Sequence, residues 1–217
     1  MSEVFVRLVR PSDEETIRRI CCDTALYSQP IDPLFSDRQF VADALLWYYT
    51  RFERESLFIA DVQGQAVGYL SGCLDTHRFE LTFARRVLPR LFWRCTWKGH
   101  WFRRAFWQLA IAGKEAAGQW AHVRERVTAG YPAHCHINLD TRFRHAGTGS
   151  ALLHAFLDYV WAHGVRGVHI ITATDGGKGF FNRAGFTLLA KYPAPQLPKT
   201  DAREAWVMGC KQPDAGV

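Results

Sequence analysis

A glycine turn between a predicted strand and a predicted helix most constrains the fold of this chain. Residues 144–149 read Arg-His-Ala-Gly-Thr-Gly, with a predicted strand at 133–140 before them and an apolar helix after them. The first amides of a helix have no partner within the helix, and the helix dipole adds partial positive charge there. Gly147 and Gly149 have no Cβ, so a phosphate can approach their backbone closely. The pattern therefore predicts an anion site that suits a pyrophosphate.

The composition is that of a globular chain with an excess of positive charge. The 217 residues are 48% hydrophobic and 22% charged, with a net charge of +6 that suits an anionic ligand. No apolar run is long enough to span a bilayer, and the N-terminus lacks a signal-peptide pattern, which favours the cytoplasm. The six cysteines form no C-x-x-C pair, so neither a metal site nor a redox motif is predicted.

Residues 78–107 concentrate arginines and aromatic residues. Such a segment can bind a nucleic acid, a membrane surface or a partner helix. A helical cover, with its aromatic rings on the core and its arginines in water, explains the same composition and is the favoured interpretation. The sequence therefore gives no strong indication of a nucleic-acid or membrane partner.

The order of the predicted elements indicates a mixed α/β sheet with helices on both faces. Capping boxes at Ser12–Glu15 and Ser36–Gln39 predict two helices after the first strand. A helical insert is predicted over 78–130, between the third and fourth strands. The seven predicted strands are 3–9, 57–62, 66–73, 133–140, 168–173, 186–191 and 204–210. No repeat or shift in composition divides the chain, so one domain over 1–217 is expected.

This order, with Arg144-x-x-Gly147-x-Gly149 after the fourth strand, resembles the GNAT family of acyl-CoA-dependent N-acetyltransferases. Residues 179–186, Gly-Phe-Phe-Asn-Arg-Ala-Gly-Phe, are similar to the family's F-Y-x-x-x-G-F segment, so the likeness covers residues 133–190. Residues 68–76 and 131–137 also resemble a bacterial subgroup related to the acetyltransferase-like domain found beside O-GlcNAcase. P-loop and dinucleotide-binding motifs fit worse, because the chain has neither G-x-x-x-x-G-K-[ST] nor G-x-G-x-x-G. The resemblance implies a mixed, mostly antiparallel sheet of about seven strands, with the helical insert between strands three and four.

The resemblance also implies a cofactor site and a reaction. An acetyl group would pass from acetyl-CoA to an unidentified primary amine, on a small molecule or a peptide, within a ternary complex. Strand 133–140 would splay from strand 168–173, and the backbone of Ile137 and Leu139 would pair with the pantetheine arm like an added strand. Thr174 and Phe181 would belong to the same site. The pyrophosphate would lie on Arg144, His145, Ala146, Gly147, Thr148, Gly149 and Ser150.

The general base remains open among three residues, His136, His134 and Asp75. An alkylammonium, with a pKa near ~10, must lose a proton before it attacks, and a histidine titrates near neutrality. Both histidines share one face of the predicted strand 133–140. Asp75 lies just after the third predicted strand, where the family often opens its acceptor site. His136 is the preferred base, although each histidine can instead be a hydrogen-bonded strand residue.

Phe181 departs from the family's pattern. The family's tyrosine at this position protonates the departing thiolate, which a phenylalanine cannot do. A thiol has a pKa near ~8.5, so a thiolate can leave without that proton, and water or Tyr192 could also supply it. Two functions therefore stay open, an acetyltransferase and a catalytically degenerate acyl-CoA-binding module. The sequence is also compatible with a homodimer.

Overall fold

A seven-stranded sheet forms the centre of the computed structural model, which describes residues 4–144, 147–198, 200 and 202–213. The strand order is β1-β2-β3-β4-β5-β7-β6. Neighbouring strands are antiparallel except for β4 and β5, which are parallel. This confirms the mixed, mostly antiparallel sheet. The strands are β1 Phe5–Leu8, β2 Leu57–Val62, β3 Gln65–Cys73, β4 Ala133–Leu139, β5 Gly167–Thr172, β6 Thr187–Pro193 and β7 Glu204–Lys211.

Helices cover both faces of the sheet, and those between β3 and β4 form the predicted helical insert. No helix in the described part of the chain is long and apolar enough to cross a membrane. A π-helical turn at Phe83–Val87 joins the first two helices of the insert. The helices are α1 Glu14–Thr24, α2 Arg38–Phe52, α3 Thr76–Thr82, α4 Leu88–Lys98, α5 Arg104–Thr128, α6 Thr148–Ala162 and α7 Asp175–Arg183.

The alternation of side chains along β4 divides the core into two layers. Cys135 and its odd-numbered neighbours pack with Phe156 of α6, whereas the even-numbered residues face α1, α2 and the insert. On that second face, Ile17 of α1 and Leu46 of α2 pack against Ile59 of β2. The two faces of β4 therefore have different chemistry, apolar toward α6 and polar toward α1 and α2.

The first two helices form as predicted, but an aspartate rather than the predicted serine stands at the start of each, and only Asp37 caps its helix with its side chain. Asp13 accepts a hydrogen bond from the Arg10 N–H at 2.7 Å, and Asp37 accepts one from the Phe40 N–H at 3.0 Å. The capping boxes predicted at Ser12 and Ser36 are therefore wrong in residue. At the start of α2 a carboxylate is the stronger acceptor for a helix amide, whereas Asp13 holds the short 3-10 turn before α1. Each aspartate also pairs with an arginine.

The insert is helical as predicted, but the expectation that its aromatic rings face the core is wrong for five of them. Phe79, Phe83 and Phe106 pack inward. The α4 helix lies on α2 and buries only a narrow ridge that includes Leu91 and Cys95, so its other side remains in solvent. The exposed rings are Phe92 (58%), Trp93 (74%), Trp97 (88%), Phe102 (93%) and Trp107 (48%).

Candidate active site

The parallel strands β4 and β5 separate after two residues. Their ladder joins Ala133 to Val168 and His134 to His169 and then stops. On its other edge, β4 stays paired with β3 as far as Leu139. The second half of β4 therefore has, among the residues described, a strand partner on one side only. The splay predicted between strands 133–140 and 168–173 is present.

The free edge of β4 presents the backbone of Ile137 and Leu139. The Asp140 N–H donates to the Val67 carbonyl at 2.9 Å, in line with the β3–β4 register. Alternate residues of an antiparallel pair direct both backbone groups at the partner strand. Counting back from Asp140, the backbone N–H and C=O groups of the even-numbered residues point toward β3. Those of Ile137 and Leu139 therefore point into the gap beside β5. An extended chain in this gap would meet a free strand edge.

The α6 helix begins just beyond the end of β4, and no side chain among the described residues caps it. Gly147 is its N-cap, with φ of 76°, a conformation that residues with a Cβ rarely adopt. The first helical bond runs from the Ala151 N–H to the Gly147 carbonyl at 3.0 Å. The amides of Thr148, Gly149 and Ser150 thus precede the helical ladder, at the positive end of the dipole. This end of the helix suits an anionic group such as a pyrophosphate.

The remaining predicted residues around this turn differ in exposure. Gly147 and Ser150 are exposed and Arg144 is half-buried, with no described carboxylate within ion-pair distance of its guanidinium. Thr148 is buried, and its Oγ1 has no hydrogen-bond partner within the described part of the chain. His145 and Ala146 lie outside the described residues.

A side chain at Gly149 would crowd its neighbours. A Cβ at Gly149 would lie 3.3 Å from two ring atoms of Phe180 and 3.6 Å from Leu139 Cδ1. Phe180 is a neighbour of this turn that the sequence patterns did not predict. It precedes Phe181 in the Gly-Phe-Phe segment, and that segment is the feature of the sequence from which its place in the site could have been predicted.

The two α7 residues assigned to the cofactor site lie at different depths. Thr174 is the N-cap of α7, and its Oγ1 accepts from the Gly177 N–H at 3.1 Å. Phe181 is buried in the core on the α6 side, with its ring 5.0 Å from Phe180 and 5.2 Å from Phe186. Phe181 therefore offers an apolar surface and no proton. Tyr192 is also buried, which raises its pKa to about 12.

Three histidines meet where β4 and β5 separate. The ring of His134 lies 5.6 Å from that of His136 and 5.6 Å from that of His169 on β5. His169 donates from Nδ1 to the Tyr131 carbonyl at 2.7 Å and stacks on Trp120. Burial lowers the pKa of His169, as it does for the other two rings. All three are therefore neutral at pH 7.

Hydrogen bonds within the protein engage both ring nitrogens of His134. The Thr76 hydroxyl lies 2.7 Å from the Pro132 carbonyl, which can only accept, so Thr76 donates there. Thr76 therefore accepts from Nδ1–H of His134 at 2.8 Å, and Nε2 accepts from the Tyr49 hydroxyl at 2.9 Å. Burial first, and then the neighbouring histidines, hold the pKa of His134 well below 6.5. This arrangement favours a positioning role for His134.

His136 lies on the same face but remains open to solvent. Its side chain is exposed, and its ring lies 6.4 Å from that of Tyr49. Desolvation by the surrounding protein and then His169 lower the pKa of His136 below 6.5. This side chain is surrounded by protein and still reached by water, so its desolvation is partial, and we call the open space beside it the cleft. Its neutral imidazole can accept a proton from a group in that cleft.

Asp75 has a structural task. It is exposed and is the N-cap of α3, where its Oδ1 accepts from the His77 N–H at 2.9 Å and the Arg78 N–H at 3.1 Å. This is the ordinary role of an aspartate at a helix start. The geometry therefore favours His136 over Asp75 as a base.

Residues from distant parts of the chain enclose the His136 face of the sheet. Asn138, the next residue on that face, accepts from Thr24 of α1 at 2.9 Å and donates to Tyr69 at 2.8 Å. Beyond α1, Tyr27 has φ of 49°, and its hydroxyl donates to the Pro195 carbonyl at 3.1 Å. The loop after α1 therefore meets the loop between β6 and β7. No pattern in the sequence predicts these contacts or those that Tyr49 and Thr76 make.

Solved structures share this architecture along nearly its whole length, although no family model matches the chain. The crystal structure of SsHAT is 27% identical, covers 96% of this chain and 98% of that chain, and has a TM-score of 0.72. The structure of yncA from Salmonella typhimurium, with its cofactor acetyl-CoA, is 12% identical and covers 99% and 96%, with a TM-score of 0.56. An acetyltransferase of the GNAT family from Streptococcus pneumoniae is 14% identical and covers 96% and 99%, also with a TM-score of 0.56. By these structural matches, the chain has the fold of the GNAT N-acetyltransferases.

Proposed function

We propose that this chain is an acetyl-CoA-dependent N-acetyltransferase that acts on a primary amine of a small molecule or peptide. The observation that carries the proposal is the splay of β4 from β5. Its free strand edge leads to the uncapped start of α6, while His136 is exposed on the polar face of the same strand. One strand thus offers a cofactor edge and a base.

The free edge and the helix start suit the two ends of acetyl-CoA. The amides from Gly147 to Ser150, together with Arg144, would hold the pyrophosphate, and His145 and Ala146 remain predicted members of that group. Ile137 and Leu139 would pair with the amide groups of the pantetheine arm. Thr174 and Phe181 would border the site from α7. Bound acetyl-CoA supplies an acetyl group activated as a thioester.

His136 would remove the proton of the acceptor ammonium. Its imidazole is neutral at pH 7 and accessible from the cleft. Tyr49 lies beside it, held by His134. Because Phe181 is apolar and buried, the thiolate would leave without a proton from α7, which its pKa near ~8.5 permits.

Ligand-induced stabilisation tests the cofactor. At about 100 times its Kd, acetyl-CoA should stabilise the folded state by about 2.7 kcal/mol, which raises Tm by about 5–10 °C for a chain of this size. S-acetyl-N-acetylcysteamine, a thioester without a nucleotide, should raise Tm much less. An unchanged Tm at millimolar acetyl-CoA would overturn the proposal.

An amine panel with thiol detection tests the transfer. Release of free CoA that depends on one class of amine would support the enzyme and identify its acceptor. The likeness to the subgroup found beside O-GlcNAcase stays a prediction and fixes no acceptor.

Phe181 favours a second function, an acyl-CoA-binding module without turnover. That function predicts acetyl-CoA stabilisation with no CoA release across a broad amine panel. Phe181→Tyr tests whether slow turnover comes from the missing acid at this position or has another cause. Faster CoA release in this variant would show that a missing acid limits catalysis, whereas an unchanged rate in a folded variant would not.

A further inference from the structure

The insert carries an exposed aromatic surface that acetyl transfer does not use. We call Phe92, Trp93, Trp97, Phe102 and Trp107 the aromatic face. Its members are between about half and fully exposed. The half-buried Trp101 joins them, with its ring 5.4 Å from Phe92 and 6.0 Å from Trp107. Exposed Leu88 and Ile111 extend the apolar surface on α4 and α5. Exposed apolar residues concentrated in one segment mark an interaction site more often than scattered ones do.

Cations surround the aromatic face, and most of them have no acidic partner in the described part of the chain. Residues 81–114 contain eight Lys or Arg and no Asp or Glu. Two of the arginines, Arg90 and Arg94, pair with Asp43 and Asp37 of neighbouring segments. Among the described residues, no carboxylate lies within 4 Å of five further exposed cations, Arg85, Arg86, Lys98, Arg103 and Arg104. The surface thus combines large apolar rings with positive charge.

The aromatic face stands on a fixed base. Leu91 and Cys95 anchor α4 in the core. Below the face, Arg94 and His100 both bond Asp37 at the start of α2, at 2.9 Å each. The rings are therefore presented by an ordered element.

We propose that the aromatic face docks on an anionic phospholipid surface. Indole rings favour the boundary between headgroups and acyl chains, and the surrounding arginines and lysine complement anionic headgroups. A second copy of the chain fits less well, because a two-fold contact would bring the same cations together without acids from 81–114. A nucleic acid would leave the aliphatic Leu88 and Ile111 without an apolar partner. The proposal concerns a surface contact and is independent of the proposed acetyl transfer.

Vesicle flotation with tryptophan emission tests the proposal. The full chain should bind phosphatidylcholine vesicles that contain one third phosphatidylglycerol, with a blue shift of tryptophan emission, and should bind pure phosphatidylcholine vesicles far less. Binding should weaken as salt rises. No binding at low salt, or equal binding to both vesicles, would overturn the proposal.

Paired variants test the residues. Trp97→Ala with Phe102→Ala should weaken binding at least about tenfold, because both rings are almost fully exposed and would enter the interface. Phe5→Ala removes an exposed ring on β1 and should leave binding unchanged. Arg103→Gln with Arg104→Gln should reduce the salt-dependent part of vesicle binding. Arg126→Gln, near the far end of α5, should leave the salt dependence of binding unchanged. Equal effects of test and control variants would overturn the assignment.

Two further measurements test the other possible partners of the aromatic face, a second copy of the chain and a nucleic acid. Sedimentation of the parent chain and of the Trp97→Ala, Phe102→Ala variant would reveal a dimer built on this face. An oligonucleotide titration under the same salt conditions measures nucleic-acid binding. A dimer lost in the variant, or tighter binding to the oligonucleotide than to anionic vesicles, would overturn the lipid proposal.

Discussion

Two histidines of β4 lie two residues apart on one face of the strand, but within the described part of the chain only one of them has ring nitrogens that are free to react. His134 is enclosed, with Tyr49 on Nε2 and Thr76 on Nδ1. His136 faces the cleft and is exposed. The strand pattern placed both on one face but could not separate them, because Tyr49 and Thr76 come from α2 and α3. Their different roles therefore follow from tertiary contacts.

Replacing His136 tests it as the base. His136→Gln should lower kcat about 100-fold or more, the usual worth of a general base, while acetyl-CoA still raises Tm as in the parent chain. Activity of the parent should fall as pH drops through the pKa of His136, because the protonated ring cannot accept a proton, and the variant should lose this limb. The measurement is the pH profile of CoA release.

His122→Gln, an exposed histidine on α5, provides the matched control and should keep parent kinetics. A normal rate for folded His136→Gln would exclude His136 as the base.

Glu53 at the end of α2 makes stability depend on pH. It is 8% exposed, and burial raises its pKa from 4.5 to about 7. An acid with a raised folded-state pKa contributes its full stability below 4.5 and loses it as pH rises through about 7. Ionised Glu53 should therefore cost the folded state about 3 kcal/mol at pH 8, at 1.36 kcal/mol per pH unit.

Glu53→Gln should accordingly be more stable than the parent at pH 8 and similar to it at pH 5, as measured by urea unfolding at both values. Comparing variant with parent at each pH cancels the opposite effect of the buried histidines, whose lowered pKa values destabilise the fold as pH falls below 6.5. Glu15→Gln, on the exposed side of α1, should follow the parent. Parallel curves for Glu53→Gln and the parent would contradict the prediction.

At the scale of elements, α6 has a left-handed glycine at each end. Gly147 begins it with φ of 76°, and Gly164 follows it with φ of 74°. At both positions a Cβ would meet no described atom within 4 Å. An alanine should therefore cost about the same backbone strain at Gly147 as at Gly164. Only the Gly147 end of the helix is a candidate anion site.

Gly147→Ala and Gly164→Ala should each lower the free energy of unfolding by about 1 kcal/mol through left-handed strain. Only Gly147→Ala should also weaken acetyl-CoA binding, by about fivefold or more, because the strained turn would redirect the amides that hold the pyrophosphate. Calorimetric titration with acetyl-CoA measures the difference. Equal affinities for the two variants would remove Gly147 from the cofactor site.

At the scale of the whole molecule, Asp37 joins the insert to the rest of the fold. It caps α2 through the Phe40 N–H and bonds both Arg94 and the buried His100. Burial alone would raise the pKa of Asp37, but the hydrogen bonds from Arg94, Phe40 and His100 lower it to about 2. One carboxylate thus links α2 with α4 and the turn that follows α4.

Asp37→Ala should lower the free energy of unfolding by about 2–3 kcal/mol, since it removes a helix cap and leaves buried His100 without its partner. Urea unfolding near pH 7 measures this loss. Asp158→Ala, on the exposed side of α6, should change stability by less than about 0.5 kcal/mol. A similar effect of both substitutions would contradict the role of Asp37.

Sequence patterns predicted most of the elements because their causes are local. Strand alternation and the glycine turn before α6 depend on neighbouring residues, and the matched solved structures bear out the fold that they implied. The helix caps and the aromatic rings of the insert were assigned incorrectly. A capping residue is selected by competition among nearby polar groups, and whether a ring is buried depends on which element lies opposite it.

Local sequence was enough to predict the order of strands and helices, the turn at 144–149 and the absence of a hydroxyl at Phe181. These follow from backbone preference and residue identity, which are properties of short segments. Three features depend on the folded arrangement instead. The β4 strand leaves β5 after His134, Tyr49 and Thr76 engage His134 while His136 stays open, and the aromatic face lies in solvent. These features join residues far apart in the chain, so no local pattern records them.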